Sequence, residues 1–173
     1  MLPPPDPLAS HTALSVRIFL LPPTLEDAIA LACRAHRGQL DKHGKPYILH
    51  SLRVMMRQPD VTAQIVAVLH DVIEDTPFTL DDLRAAGFSA EICEAVDCLT
   101  RRPGETYPSM ISRVAANPLA RRVKLADLED NMDPRRRVDG EREEQHQLRY
   151  REAQARLMAA AGHSAPPSPA AAS

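Results

Sequence analysis

Apolar residues recur along this chain at three- and four-residue spacings, and most of these runs open on a residue that caps helices. Thr24 follows Pro23 and precedes Glu26 and Asp27, so it caps a first helix. Leu25, Ile29, Ala32 and Cys33 form the stripe of that helix, and Gly38 is its stop. A polar loop runs from Gln39 to Lys45. Pro46 then fits the first turn of a second helix, with Ile48, Leu49, Leu52, Met55 and Met56 as its apolar set. Asp60 caps a third helix that passes through the apolar stretch Ile65–Leu69 and ends at Thr76-Pro77. Thr79 and Ser89 cap two more; Gly87 stops the first, and Ile92, Val96 and Leu99 point inward from the second. A loop from Arg101 to Thr106 leads to a helix through Met110–Ala116. Pro118 opens the next, where Leu119, Val123, Leu125, Ala126 and Leu128 are spaced for burial on one side. Residues 133–140 form a charged break. From Glu141 to about Ala161 the chain predicts a polar helix on the surface, with Leu148, Leu157 and Met158 as its few apolar residues.

No alternating strand pattern and no internal repeat interrupts this order. The expected fold is all-α, a bundle of about seven to eight helices over residues 23–162. Proline-rich and small residues make 1–22 a flexible arm and 163–173 a disordered tail.

Composition narrows the functional classes. Aromatic residues are 3% of the 173, with no Trp, so the core is aliphatic and stacking platforms for single-stranded nucleic acid are few. A formal net charge of −2 provides no global field for polyanions, so an anionic ligand must be met by a local cluster. Arg121-Arg122 and Arg135-Arg136-Arg137 read as solvated faces or carbonyl caps, and no nucleic-acid partner is expected. Three widely spaced cysteines (Cys33, Cys93, Cys98) suggest neither a disulfide framework nor a zinc ribbon, which fits a reducing cytoplasm. The largely apolar stretch Val16–Leu21, interrupted by Arg17, is too short for a signal core and ends in Pro22-Pro23, and nothing approaches the roughly 20 apolar residues of a membrane span.

The chemistry concentrates in HDVIED, His70 to Asp75, at the end of the most apolar run. On a continuous helix His70 and Glu74 stack one turn apart, and Asp71 and Asp75 do the same on the neighbouring face. Acidic groups placed where the helix should have stayed apolar are costly unless something cationic meets them. His50, within PYILH, and Asp127, within KLAD with Asn131 one turn on, end two other helical segments. Two imidazoles and two carboxylates without a thiolate suit Mn, Fe or Zn. His36 is expected to pack against or cap the first helix, and His43 sits in a loop.

Three blocks, AHRGQxxKxGxPYIxH, AVLHDVIEDT and VKLADxxxN, resemble the HD-domain hydrolases of the RelA/SpoT type, in family order over residues 24–133. The resemblance implies an all-helical fold and removal of the 3′-pyrophosphate from the guanosine alarmones ppGpp and pppGpp at one Mn2+ ion. It also implies metal ligands at His50, His70, Asp71 and Asp127. Glu74 and Asp75 match the acidic pair that orients and activates the attacking water, Asn131 a substrate-contacting residue, and Lys42 a basic residue near the substrate.

Two departures fall on the substrate side. Asp41 stands where the family usually has an arginine that packs on guanine, and a carboxylate neither stacks like a guanidinium nor tolerates a polyphosphate. Asp133 likewise replaces a common arginine. These changes keep open hydrolysis of another nucleotide, such as an adenine alarmone or a nucleoside monophosphate. A nucleotide sensor without catalysis is the alternative from a different class. Fe2+ is an alternative to Mn2+, since the ligands alone do not choose between them.

Overall fold

The computed structural model describes residues 21–136 and 140–162; the expected arm, up to Leu20, and the expected tail lie outside the described residues. The most apolar helix is the centre of the fold. It spans Val61–Leu69 (α3), begins where the Asp60 carboxylate accepts from the Ala63 N–H, and is buried from Ile65 to Leu69. Around it pack α1 (Leu25–Ala35), α2 (Ile48–Met56), α6 (Ala90–Leu99) and α8 (Pro118–Asn131). A single turn, α4 (Val72–Asp75), follows α3, and α5 (Leu80–Ala85) precedes α6. Helix α7 (Tyr107–Ala116) lies against α8, a 3-10 turn occupies Pro134–Arg136, and α9 (Glu141–Gly162) runs across α7 and α8. These eight helices and one helical turn give the expected all-α bundle. The one bridge among the described residues is isolated, pairing Leu40 with Pro46.

The caps read from the sequence hold. Thr24 and Thr79 each form a reciprocal capping box, with Asp27 and Asp82, and Ser89 caps α6; Thr106 and Asn117, not among the expected caps, cap α7 and α8 through their side chains. After α5 the chain reverses at Gly87, whose φ of 91° suits glycine and strains other residues.

Five local expectations are corrected. Pro46 sits in the bridge to Leu40, one residue before the Tyr47 cap, so it does not start α2. Leu49 and Met56 lie on the outer face of α2, which buries His50, Ser51 and Val54 instead. Cys33 is exposed, and Ala28 and Leu31 take its place in the core. The third helix is not continuous through HDVIED: it ends at Leu69, and Asp71 (φ −103°, ψ −1°) starts a new turn. Finally, α9 is more than a surface helix, because Gln147, Ala153 and Leu157 are buried beneath it.

Leu157 supplies a test of that last point. Leu157→Ala should cost ~2–5 kcal/mol in urea denaturation, as a buried leucine does. Leu148→Ala, on the exposed face of the same helix, should stay within ~0.5 kcal/mol.

Candidate metal centre

The break between α3 and α4 places His70 and Asp71 at a helix end that faces α2 and α8. His70 is buried, and its Nδ1 lies 2.7 Å from the Ala67 carbonyl, the geometry of an N–H donating to that oxygen. This leaves Nε2 facing inward. On α2, His50 is also buried, with Nδ1 2.7 Å from Asp130 Oδ2 and Nε2 turned the same way. Asp127, from α8, completes the group: its Oδ1 lies 3.1 Å from His50 Nε2 and 3.7 Å from His70 Nε2. Ligating atoms of these three residues all lie within 4.8 Å of one another. Asp71 Oδ2 joins them, 3.0 Å from His70 Nε2 and 3.8 Å from His50 Nε2. All four residues read as ligands therefore converge, although they come from segments up to 77 positions apart.

This donor set fits a divalent cation. His70 Nε2 is buried without a hydrogen-bond partner, and two carboxylates stand beside it. The other nitrogen of each ring is held by an oxygen, which fixes the ring orientation, as around bound metals.

The charges are strongly coupled. Burial alone would raise the Asp127 carboxyl, but Lys124 and the two imidazoles hold it well below its ordinary value. The Lys124 ammonium lies 2.7 Å from Asp127 Oδ2 and is the cation that a buried carboxylate requires. Burial works against a charged His70, yet Asp71 and Asp127 outweigh it and push its pKa up to about 10. A raised imidazole pKa stabilises the metal-free fold fully below the ordinary value of 6.5, and that contribution is lost as pH climbs through about 10. A cation at Nε2 has to displace the same proton. Affinity for Mn2+ should therefore rise between about pH 6 and about pH 8, by about tenfold per unit for each proton released. Calorimetric titration in two buffers of different ionisation enthalpy checks this by counting protons; a flat profile would contradict it.

The remaining expected residues divide. Asn131 donates from Nδ2 to Asp127 Oδ1 at 2.6 Å and lines a polar cavity of about 280 Å³ beside the cluster. Glu74 lines the same cavity, with Oε2 accepting from the Arg101 N–H at 2.9 Å. Asp75 lies outside that lining; burial, Asp71 and Glu74 raise its carboxyl pKa. Lys42 is not at the cavity but pairs with Glu143 of α9 at 2.7 Å. Asp41 does not confront the cavity either: its Oδ1 accepts from the His43 and Lys45 N–H groups, and its Oδ2 lies 3.7 Å from Arg136. Asp133 is taken up by Arg135. His36 caps α1, as expected, with Nδ1 2.7 Å from Gln39 Oε1.

Sequence reasoning missed four participants. Lys124 neutralises Asp127, Tyr47 donates its hydroxyl to Asp71 Oδ2, and Asp130 grips His50. The fourth is a pattern: all three tyrosines of the chain (Tyr47, Tyr107 and Tyr150) line the cavity, with the Arg149 guanidinium 5.3 Å from the Tyr107 ring centre. Three tyrosines in an otherwise aromatic-poor chain were a signal available from composition.

No family model matches the chain. It is 34% identical over 131 residues to the guanosine-3′,5′-bis(diphosphate) 3′-pyrophosphohydrolase of Haemophilus influenzae, covering 62% of this chain and 19% of that protein. The bifunctional (p)ppGpp synthase/hydrolase SpoT of Escherichia coli is 34% identical over 136 residues, covering 66% and 19%. A probable GTP pyrophosphokinase of Mycobacterium leprae is 34% identical over 121 residues, covering 62% and 15%. The chain thus spans less than a fifth of the length of these curated relatives. Among solved structures it matches one described as a metazoan ortholog of SpoT that hydrolyses ppGpp. That match has a TM-score of 0.64 and 21% identity over 80% of this chain and 94% of the other, a likeness of fold. No helix among the described residues is long and apolar enough to cross a membrane.

Proposed function

We propose that this chain is an HD-domain hydrolase of the RelA/SpoT type that removes the 3′-pyrophosphate from a ppGpp-like alarmone. The observation that carries the reading is the convergence of His50, His70, Asp71 and Asp127, with a buried imidazole nitrogen left without a hydrogen-bond partner. These four residues would hold a divalent cation, Mn2+ first and Fe2+ as the alternative, supplying Lewis-acid polarisation of a phosphoryl oxygen and a water of lowered pKa.

The chain's own groups do the rest. Arg101 and Arg149 line the cavity and offset the charge of a pyrophosphate, which a net charge of −2 would not attract by itself. Asn131, anchored on Asp127, presents its amide at the same wall. Glu74 is held by the Arg101 backbone and takes the proton of the attacking water. Water oxygen bonds to the phosphorus on the 3′-oxygen, the bond from that phosphorus to the 3′-oxygen breaks, and pyrophosphate departs. The 3′-oxygen then needs a proton. Glu74 hands it the proton taken from the water; Asp75, outside the cavity lining, neighbours Glu74 in the acidic pair. A reducing, cytoplasmic setting agrees with three free cysteines.

One observation favours a second reading of the substrate. Asp41 is folded onto its own loop and the guanidinium beside it, Arg136, is engaged by Asp130, whereas Tyr107 and Tyr150 line the cavity, and aromatic rings do not choose between purines. Guanosine and adenosine 3′-diphosphates, assayed side by side with Mn2+ and an Asp71→Ala control, separate the two. Release of pyrophosphate from the guanosine compounds is the expected result. Turnover confined to adenosine compounds moves the substrate to the alternative, and tight nucleotide binding without turnover of any compound supports a sensor.

A further inference from the structure

Asp130 is wholly buried, yet no step of the proposed reaction uses it. It stands three residues after Asp127 on α8, so one helix grips both nitrogens of one imidazole: Asp127 Oδ1 lies 3.1 Å from His50 Nε2, and Asp130 Oδ2 lies 2.7 Å from Nδ1. Three arginines hold the Asp130 carboxylate in turn. Arg53 donates Nε and Nη2 at 2.8 and 3.1 Å, Arg57 donates Nη1 at 3.0 Å, and Arg136 donates Nη1. A carboxylate with that many donors has one orientation, and so has the ring bonded to it.

The third arginine leads away from the cluster. Arg136 belongs to the 3-10 turn after α8; its Nη2 lies 3.7 Å from Asp41 Oδ2 and its carbonyl is 2.9 Å from His43 Nε2. Both partners sit in the Gln39–Lys45 loop, where Asp41 also accepts from two backbone N–H groups. Asp41 is therefore a structural tie.

We propose that Asp130 is the positioning residue for His50, and that Arg136 joins this constraint to the Gln39–Lys45 loop through Asp41. The proposal rests on the reading of His50 as a metal ligand. Loop and ligand then move as one unit, so a change in the loop registers at the metal centre.

The test is calorimetric titration of the metal-free full chain with Mn2+, beside circular dichroism for fold. Asp130→Asn keeps the shape and removes the charge; it should weaken Mn2+ affinity by about 10- to 100-fold with the helical spectrum unchanged. Asp41→Asn should weaken it less, and the double variant no more than Asp130→Asn alone, because both act on one path. A folded Asp130→Asn chain with wild-type affinity overturns the positioning role, and effects that add independently overturn the link through Arg136. Should Asp130→Asn fail to fold, Arg136→Gln decides: weakened affinity supports the proposal and unchanged affinity overturns it. A wild-type chain that binds no Mn2+ removes the metal reading itself, whereas binding that is indifferent to residue 130 removes this inference alone.

Discussion

Asp127→Ala should abolish pyrophosphate release, empty the centre of Mn2+ and destabilise the fold, all from one side chain. Its Oδ1 faces both imidazoles, at 3.1 and 3.7 Å, and unlike Asp71 it also carries the ion pair with Lys124. Its Oδ2 neutralises Lys124 at 2.7 Å, and Asn131 is anchored on Oδ1. Removing the carboxylate leaves a largely buried ammonium without its closest partner, a loss approaching the ~3–5 kcal/mol of a fully buried pair. Metal analysis, activity and urea denaturation on one preparation check all three effects. Asp127→Asn separates them, since it keeps the volume and part of the hydrogen bonding while losing metal. Retention of stoichiometric Mn2+ by Asp127→Ala would contradict the ligand assignment.

Glu74→Gln should behave in the opposite way: metal retained, fold retained, turnover reduced by ~10²–10⁴-fold, the range for loss of a positioned acid–base group. Glu74 is exposed and bonds only to the backbone of Arg101 among the described residues, so a glutamine in its place should change stability by ~0.5 kcal/mol or less. The loss should appear in kcat with little change in KM, because the amide fills the same place in the cavity wall but accepts no proton. Equal activity at saturating Mn2+ would remove Glu74 from the water end of the site.

The features legible in the sequence are those set by local chemistry. Thr24, Asp60, Thr79 and Ser89 cap their helices as their residue types require, and the apolar run Ile65–Leu69 is the buried centre. The ligand set came from motif blocks, and the fold brings those residues together. Illegible were contacts made across large separations. Asp130 reads locally as one more acid in LEDN; only folding sets it against His50, Arg53 and Arg57, more than 70 positions earlier. Asp41 shows the same limit in reverse. Its charge suggested repulsion of substrate, but its carboxylate is satisfied by its own loop and lies beside Arg136. Lys42, expected near substrate, is paired with Glu143 of α9, a helix whose polar sequence concealed its role in covering the site's flank. The break at His70-Asp71 was hidden because a helical pattern gives no sign of a one-residue change in ψ.

In the proposed function, hydrolysis depends on a cation held by His50, His70, Asp71 and Asp127. The most direct test of that dependence is to titrate the metal-free chain with Mn2+ and follow bound ion and pyrophosphate release from ppGpp at every step. Activity should rise in proportion to bound metal and saturate at one ion per chain. Full activity in the metal-free chain, or none with that ion bound, would contradict it.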